Sequence, residues 1–464
     1  MKRNLSLPLV VLLLCSLLLG ACSPNAATTA VPTAASTSET NTQPTDTGQP
    51  VAANTLVPTS WVPVPYSGGV KIQLFMRLSA PGAMWPTIVD GFNKANAGKI
   101  YATLTYTDDT TYITKLPIVL RSDTPPDVFF SWMGGRAKML VAAGYAEPLD
   151  RYYTQFGWNT LLTTAAIGIA NNDGVNGHIY EAPYYMSASA VWYRSDILKK
   201  YNLSVPTTWD ELQNVCQTLK DNKIYCWMIS NKDGWEAQFD WTGIFVQKYG
   251  LQAYKDLINR KIPFTDPRVV DAFQVLKDFA DKYAYPNPNS VALMDGSIPF
   301  AQGTVAFWYQ GSWMPGLFGY TGGTFEYDFM PFPTFPGITP TQELWAEETL
   351  MVNANSTHKD EAAQFIDYVL SQPVQTIMAQ NNQFPSNKNV DLSVMNNPSL
   401  VKLGQVMAAT GAATYVHPDI ALNDAVSSEF LNDIQAVLAG AMTPAQAGAA
   451  SEANAVKEAG PVVP

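Results

Sequence analysis

The chain has 464 residues, of which 47% are hydrophobic, 12% aromatic and 14% charged, and its net charge is −11. That length exceeds one ordinary domain, so two domains or one large bilobal body is the expectation. An acidic chain without a basic cluster argues against nucleic acid as a partner, while the stock of rings suits recognition through ring faces as well as core packing.

The first 22 residues, MKRNLSLPLVVLLLCSLLLGAC, carry two early cations, an apolar run of signal-peptide length and small residues before Cys22. This is the pattern of a secretory signal rather than a membrane-spanning helix. Leu19-Gly20-Ala21-Cys22 resembles a bacterial lipobox. The resemblance implies that residues 1–21 are removed as a lipoprotein signal peptide and that Cys22 carries lipid, which would tether the protein to a membrane. Residues 22–63 are Thr, Ala, Pro and Ser with almost no large apolar side chain, and they cannot bury a core. A disordered tether is expected there.

Strand and helix patterns alternate from residue 70. Strand candidates are 70–78, 99–107 and 125–132; helix candidates are 84–98, 111–123 (despite Pro117) and 134–144. Alternation of this kind predicts an α/β domain with a largely parallel sheet, whose ligands sit at the carboxyl ends of the strands. Trp132 stands at one such end. GHIYEAPYYMSASAVWYRSDIL (177–198) is too long for one ordinary strand in one domain, and reads as a passage between lobes. The segment 206–222 predicts a helix capped by Thr208 with Glu211 three residues on. Segments 250–261, 266–283 and 358–372 read as amphipathic helices, 297–310 as a turn plus strand, and 327–337 as a second crossing. The stretch 390–457 reads as mostly helical. Cys216 and Cys226 are ten positions apart; in an oxidising compartment a disulfide is expected, with two buried thiols as the alternative. No histidine or second cysteine pair accompanies them as a metal set.

In order along the chain, PPDVFFSW with GGRAKMLVAAGYAEPLD, HIYEAPYYMSASAVWYRSDIL with PTTWDEL, FAQGTVAFWYQGSWMPG and STHKDEAAQFIDYVLS resemble the extracellular solute-binding proteins of carbohydrate ABC transporters, the group that includes maltose-binding protein. The resemblance spans about residues 66–455. It implies a bilobal, type II periplasmic-binding-protein-like fold in which two α/β lobes are joined by crossing hinge segments. Residues 64–183 and 332–386 would form the first lobe, and 184–331 and 387–464 the second. It also implies a monomer that holds a sugar in the cleft, closes about the hinge, and docks on ABC permease subunits driven by a separate ATPase. No cofactor and no metal is expected, and no catalytic residue.

A sugar presents flat C–H faces to rings and a hydroxyl edge to planar hydrogen-bonding groups. Trp313, in YQGSWMPG, follows a predicted strand between Gly311 and Gly316, which would let backbone and ligand approach closely. In the family this turn presents an aromatic platform. Trp132 would be its counterpart in the first lobe. WEAQFDW packs Trp235, Glu236, Gln238, Asp240 and Trp241 into seven residues, a mixture hard to bury unpaired, and in the family this stretch faces the cleft. Tyr185 and Ser187 lie on the first crossing segment, with hinge packing the alternative for Tyr185. Asp108 and Asp109 end the second strand, one to bind hydroxyls and one to cap the next helix. Trp85 and Arg77 lie near the end of the first strand. Glu347 and Glu348 precede a returning strand where related proteins are often glycine-rich, so either carboxylate could enter the cleft.

Two other function classes fit less well. A secreted glycoside hydrolase needs paired carboxylates at a set separation, which the sequence does not single out; Ser-His-Asp, zinc, P-loop and dinucleotide patterns are not apparent. A binding protein for a polyamine or another polar solute would use the same carboxylates and rings.

Overall fold

The computed structural model describes residues 61–77, 84–172, 174–322, 324–339, 341, 343–410 and 415–462, with the side chains at 109, 110, 172, 346, 347 and 410 excepted. The signal, Cys22 and nearly all of the tether lie outside the described residues. Nine strands are described: β1 (Val70–Arg77), β2 (Ile100–Thr107), β3 (Val128–Ser131), β4 (Ala182–Arg194), β5 (Tyr225–Met228), β6 (Val305–Gly311), β7 (Tyr327–Met330), β8 (Leu344–Val352) and β9 (Phe384–Pro385). They join in the order β2-β1-β3-β8-β4-β6-β5, with β7 and β9 also on β4.

This is a two-lobed α/β fold whose lobes share one strand. β1 pairs parallel with β2 and β3, and β5 parallel with β6, as βα units require. β4 does the joining. Ala182–Ala188 pair with β8, whereas Ser189–Tyr193 pair with β6 and Val191–Arg194 with β7. All thirteen residues of β4 are buried, and such a strand reaches about 40 Å, enough to enter two cores. A register shift at Tyr185 marks where it bends. Because the sheet is continuous through β4, the described residues belong to one compact unit.

Local chemistry sets the element ends. Thr208 caps the helix Trp209–Asp221, accepting from the Glu211 N–H while the Glu211 side chain returns to the Thr208 N–H. That helix is fastened to β5 by the Cys216–Cys226 disulfide. Two sequence expectations are corrected and one unassigned segment is filled. Ser297–Ala301 belong to a helix, Leu293–Ala301, that tolerates Pro299 near its end. The segment 150–172, which carries no clear periodic pattern, holds three short helices. The stretch after β7 does not cross: Phe332 and Phe335 pack on Trp209, and the chain passes to the first lobe only as it enters β8.

Candidate functional site

β4 and β8 run together through the middle of the molecule, and a cluster of functional side chains lies at each of two levels along them. Ser187 stands opposite Trp345 and Tyr185 opposite Glu348. Three residues of β8 separate the levels, about 10 Å along the strand.

At the first level four rings and a histidine meet. Trp313 lies edge-to-face with Trp235, Phe239 and Trp345, at centroid distances of 6.1, 5.9 and 6.1 Å. The buried ring of His417 stacks obliquely at 4.4 Å from Phe239 and meets Trp345 edge-on at 4.9 Å. Trp313 and Trp235 remain half-exposed, while Phe239 and Trp345 are closed in. The Trp313 ring covers the Gly311 α-carbon so closely that a Cβ there would stand 2.1 Å from it. Gly311 is therefore needed by the ring itself; a Cβ at Gly316 would meet only open space. Trp313 precedes the short helix Met314–Gly319, so its side chain leaves a turn rather than a strand.

Polar atoms without partners surround these rings. The indole N–H of Trp313, the amide nitrogen of Gln238 and both carboxyl oxygens of Glu236 are buried and meet no hydrogen-bond partner among the described residues. The Gln238 oxygen accepts from the Asp419 N–H at 2.9 Å. Burial, with the neighbouring Asp233 carboxylate adding to it, pushes Glu236 up to about 8. Near neutral pH it therefore carries a proton to donate.

Beneath the rings lies a buried polar hinge. Glu343, where the chain enters β8, accepts from Ser189 of β4 and from the Tyr309 hydroxyl at 3.2 Å, and meets His417 Nδ1 at 3.2 Å. His417 Nε2 is 3.2 Å from Asp419. Ser187 and Ser312 share a hydrogen bond of 2.8 Å. No motif in the sequence marks Glu343 or His417. The available signal was VHPDIALND, an isolated polar triplet before an apolar stretch.

At the second level Arg77, at the end of β1, makes two bonds of 3.0 and 2.8 Å to Glu348, both side chains buried. Trp132 lies beyond β3 with the Arg77 and Arg136 guanidinium groups 5.2 and 4.8 Å from its ring centre. A sugar on Trp132 must share that ring with two cations. A cavity of about 190 Å³ opens beside it, lined by Trp132, Arg136, Leu116, Met139, Tyr145 and Asp424.

Four predicted contacts move elsewhere. Trp85 packs under Tyr184 and Phe365 in the first core. Trp241 stacks on Phe245 and abuts Phe273 and Phe430 in the second. Asp240, on the same helix Ala237–Tyr249, accepts the Trp227 indole N–H at 2.7 Å, and burial holds its carboxyl well above the usual range. A helix that opens on the cleft turns its next face inward, so WEAQFDW divides into site residues and core residues. Asp108 caps the helix Asp109–Val119 through the Thr111 N–H at 2.9 Å. Tyr185 and Ser187 are buried in the hinge strand, while the side chains of Glu347 and Asp109 lie outside those described.

The family of bacterial extracellular solute-binding proteins matches residues 78–376. An ABC transporter extracellular-binding protein of Pyrococcus horikoshii is 24% identical over 335 residues, covering 70% of this chain and 71% of its own. The alpha-glucosides-binding periplasmic protein of Rhizobium meliloti is 24% identical, covering 66% of this chain and 70% of its own. A solved chitin oligosaccharide binding protein is 21% identical with a TM-score of 0.73, covering 83% of this chain and 98% of its own, which establishes a shared fold. Among the described residues no helix is long and apolar enough to cross a membrane.

Proposed function

Because the chain belongs to the bacterial extracellular solute-binding protein family, we propose that it captures a sugar or oligosaccharide between its lobes and delivers it to an ABC permease. The observation that carries this reading is the set of buried, unpartnered polar atoms on Glu236, Gln238 and Trp313 beside two half-exposed tryptophans. Polar atoms buried without partners are costly. A sugar laid on the rings of Trp313 and Trp235 would supply hydroxyls to those atoms and cover the open faces. The names of relatives point the same way: one binds alpha-glucosides, another is a chitin oligosaccharide binding protein.

Arg77, Glu348 and Trp132 form the opposing wall in this proposal, with residues 64–183 in the first lobe and 184–331 in the second. The return passage falls near residue 343 and the last near residue 387. Cys22 carries the lipid, residues 22–63 are the tether, and the mature protein works as a monomer on the outer side of a bacterial membrane. It does no chemistry; a separate ATPase drives the permease. Sugar binding favours the closed arrangement by bridging both lobes.

A thermal-shift screen over neutral oligosaccharides, polyols, polyamines and metal ions tests the ligand class. A bound sugar at a hundredfold excess over Kd should add about 2.7 kcal/mol of stability. Trp313→Ala should then weaken the affinity for that sugar by about tenfold to a hundredfold, as loss of a central aromatic contact does, with a small change in melting temperature. Stabilisation by polyamines alone, or cleavage of the oligosaccharide, would overturn the proposal. A sharp fall in melting temperature with unchanged affinity would return Trp313 to the core.

A further inference from the structure

Away from the cleft, a cavity of about 780 Å³ opens in the second lobe. Its walls are the end of the helix Trp209–Asp221 with its turn, the start of β5, the end of the helix Pro267–Tyr283 with the segment 284–290, and Leu438–Ala439 closing the helix Asp424–Leu438. Lys220, Lys223 and Lys282 face Asp281 as the one acidic lining residue, and Asp281 is already paired with Lys277. In a chain of net charge −11 this is a local excess of positive charge.

Two of the three lysines have structural work. Lys220 donates to the Lys282 carbonyl at 2.9 Å, and Lys282 lies 4.7 Å from the Tyr283 ring, so both complement helix carboxyl ends. Lys223 does not. It follows the helix at φ 63°, is exposed, and makes no ion pair among the described residues. Two positions on, Tyr225 is 41% exposed and meets Tyr285 in a T-shaped contact at 5.1 Å. An exposed cation and an exposed ring lining one cavity suit a ligand with a C–H face and an anionic group.

Covalent and hydrogen bonds tie the walls of this cavity together. The Cys216–Cys226 disulfide fixes the helix bearing Lys220 to the strand bearing Tyr225. The far wall, Pro286–Asn289, contains two prolines and is tied to Asn231: the Asn231 N–H reaches the Pro288 carbonyl at 3.0 Å and its side-chain amide reaches Asn289 at 2.9 Å. The Asn231 oxygen in turn accepts from the Ala237 N–H at 3.1 Å, at the start of the helix that carries Gln238. Preformed walls of this kind lower the ordering cost of binding.

We propose that this cavity is a second binding site, for a saccharide bearing a carboxylate or a phosphate, with the Tyr225 ring under the sugar and Lys223 and Lys282 on its charge. The reading is independent of the cleft and of what the cleft holds. Isothermal titration of the purified protein with a galacturonic acid trimer, glucose 6-phosphate and a neutral trisaccharide tests it. At least one acidic probe should bind, more weakly as salt is raised. Lys223→Asn, which keeps a residue tolerant of the left-handed turn, and Tyr225→Ala should each weaken that binding by about tenfold, the size of a lost charged contact. Trp313→Ala should leave it unchanged. Which acidic probe binds separates the carboxylate source from the phosphate source, and either supports the site. No heat from either acidic probe would overturn the proposal. So would loss of binding in Trp313→Ala but not in Lys223→Asn, and so would equal binding of the neutral trisaccharide that Lys223→Asn leaves intact. Melting curves of both cavity variants check that the exposed substitutions leave the fold in place.

Discussion

Glu236 stands beside Trp235 with its carboxyl buried, unpaired and pushed up to about 8, which couples folding to pH. Below the ordinary carboxyl range both the folded and unfolded chains hold the proton, and there is no penalty. As pH rises from there to about 8 the unfolded chain releases the proton while the fold retains it, so stability falls across that window and levels off above it. Glu236→Gln keeps the shape and removes the titration. It should therefore be more stable than the parent at pH 8 by on the order of a few kcal/mol and melt correspondingly higher, with the two converging near pH 4. Melting curves across this range in the absence of sugar check it, and parallel curves for parent and variant would refute it. The mixture of rings and carboxylates in WEAQFDW was legible as unusual in sequence. Its division was not, because Glu236 in the turn before the helix and Asp240 within it are both buried, and only the position of the Trp227 N–H makes Asp240 the core partner. Trp313 in its glycine turn could be read as a platform, yet the role of Gly311 under the ring needed the three-dimensional approach.

Elements with a chemical stop at each end were legible. The Thr208–Glu211 capping box and the alternating strands and helices before residue 144 fall within a few residues of their expected bounds. Elements held by tertiary packing were not. The three helices within 150–172 are short, and Tyr152 with Tyr153, Trp158, and Ala166 with Ile169 anchor them in turn by burial rather than by periodicity. The proline run after β7 looked like a crossing because prolines suit extended chain, whereas Phe332 and Phe335 hold it on Trp209. The disulfide could be expected from compartment and spacing, and the fold pairs Cys216 with Cys226. Closing so short a loop adds about 3 kcal/mol in the chain-entropy account. Cys216→Ala with Cys226→Ala should accordingly lower the melting temperature by a few degrees and leave cleft affinity for the sugar unchanged. A loss of sugar affinity equal to that of Trp313→Ala would show instead that the helix–β5 clamp shapes the cleft.

At the scale of the whole molecule, the two lobes meet again outside β4. The helix Gly135–Ala142 of the first lobe abuts the segment 420–424 that leads into the second-lobe helix Asp424–Leu438. A Cβ at Gly134 would stand 2.3 Å from the Ile420 carbonyl oxygen, and one at Gly135 would stand 2.1 Å from that of Leu422. Arg136 donates to Asp424 across the same contact at 2.8 Å, a partly exposed pair worth about 1 kcal/mol or less. Backbone approach rather than charge therefore sets how tightly this contact closes. Gly134 has φ 77° and resists any side chain whatever the space. Gly135 lies in a helix, where alanine is favoured, so its replacement tests the approach without straining the backbone. If this contact forms only on closure, Gly135→Ala should keep the parent's melting temperature without ligand, lose most of the sugar affinity, and fail to contract on sugar addition in small-angle X-ray scattering. Arg136→Ala, which removes only the ion pair, should weaken affinity by no more than about fivefold and still contract. If Gly135→Ala instead melts well below the parent without ligand, the contact between residues 134–136 and 420–424 is a fixed junction, and closure, where it occurs, turns about the Glu343–His417 hinge alone.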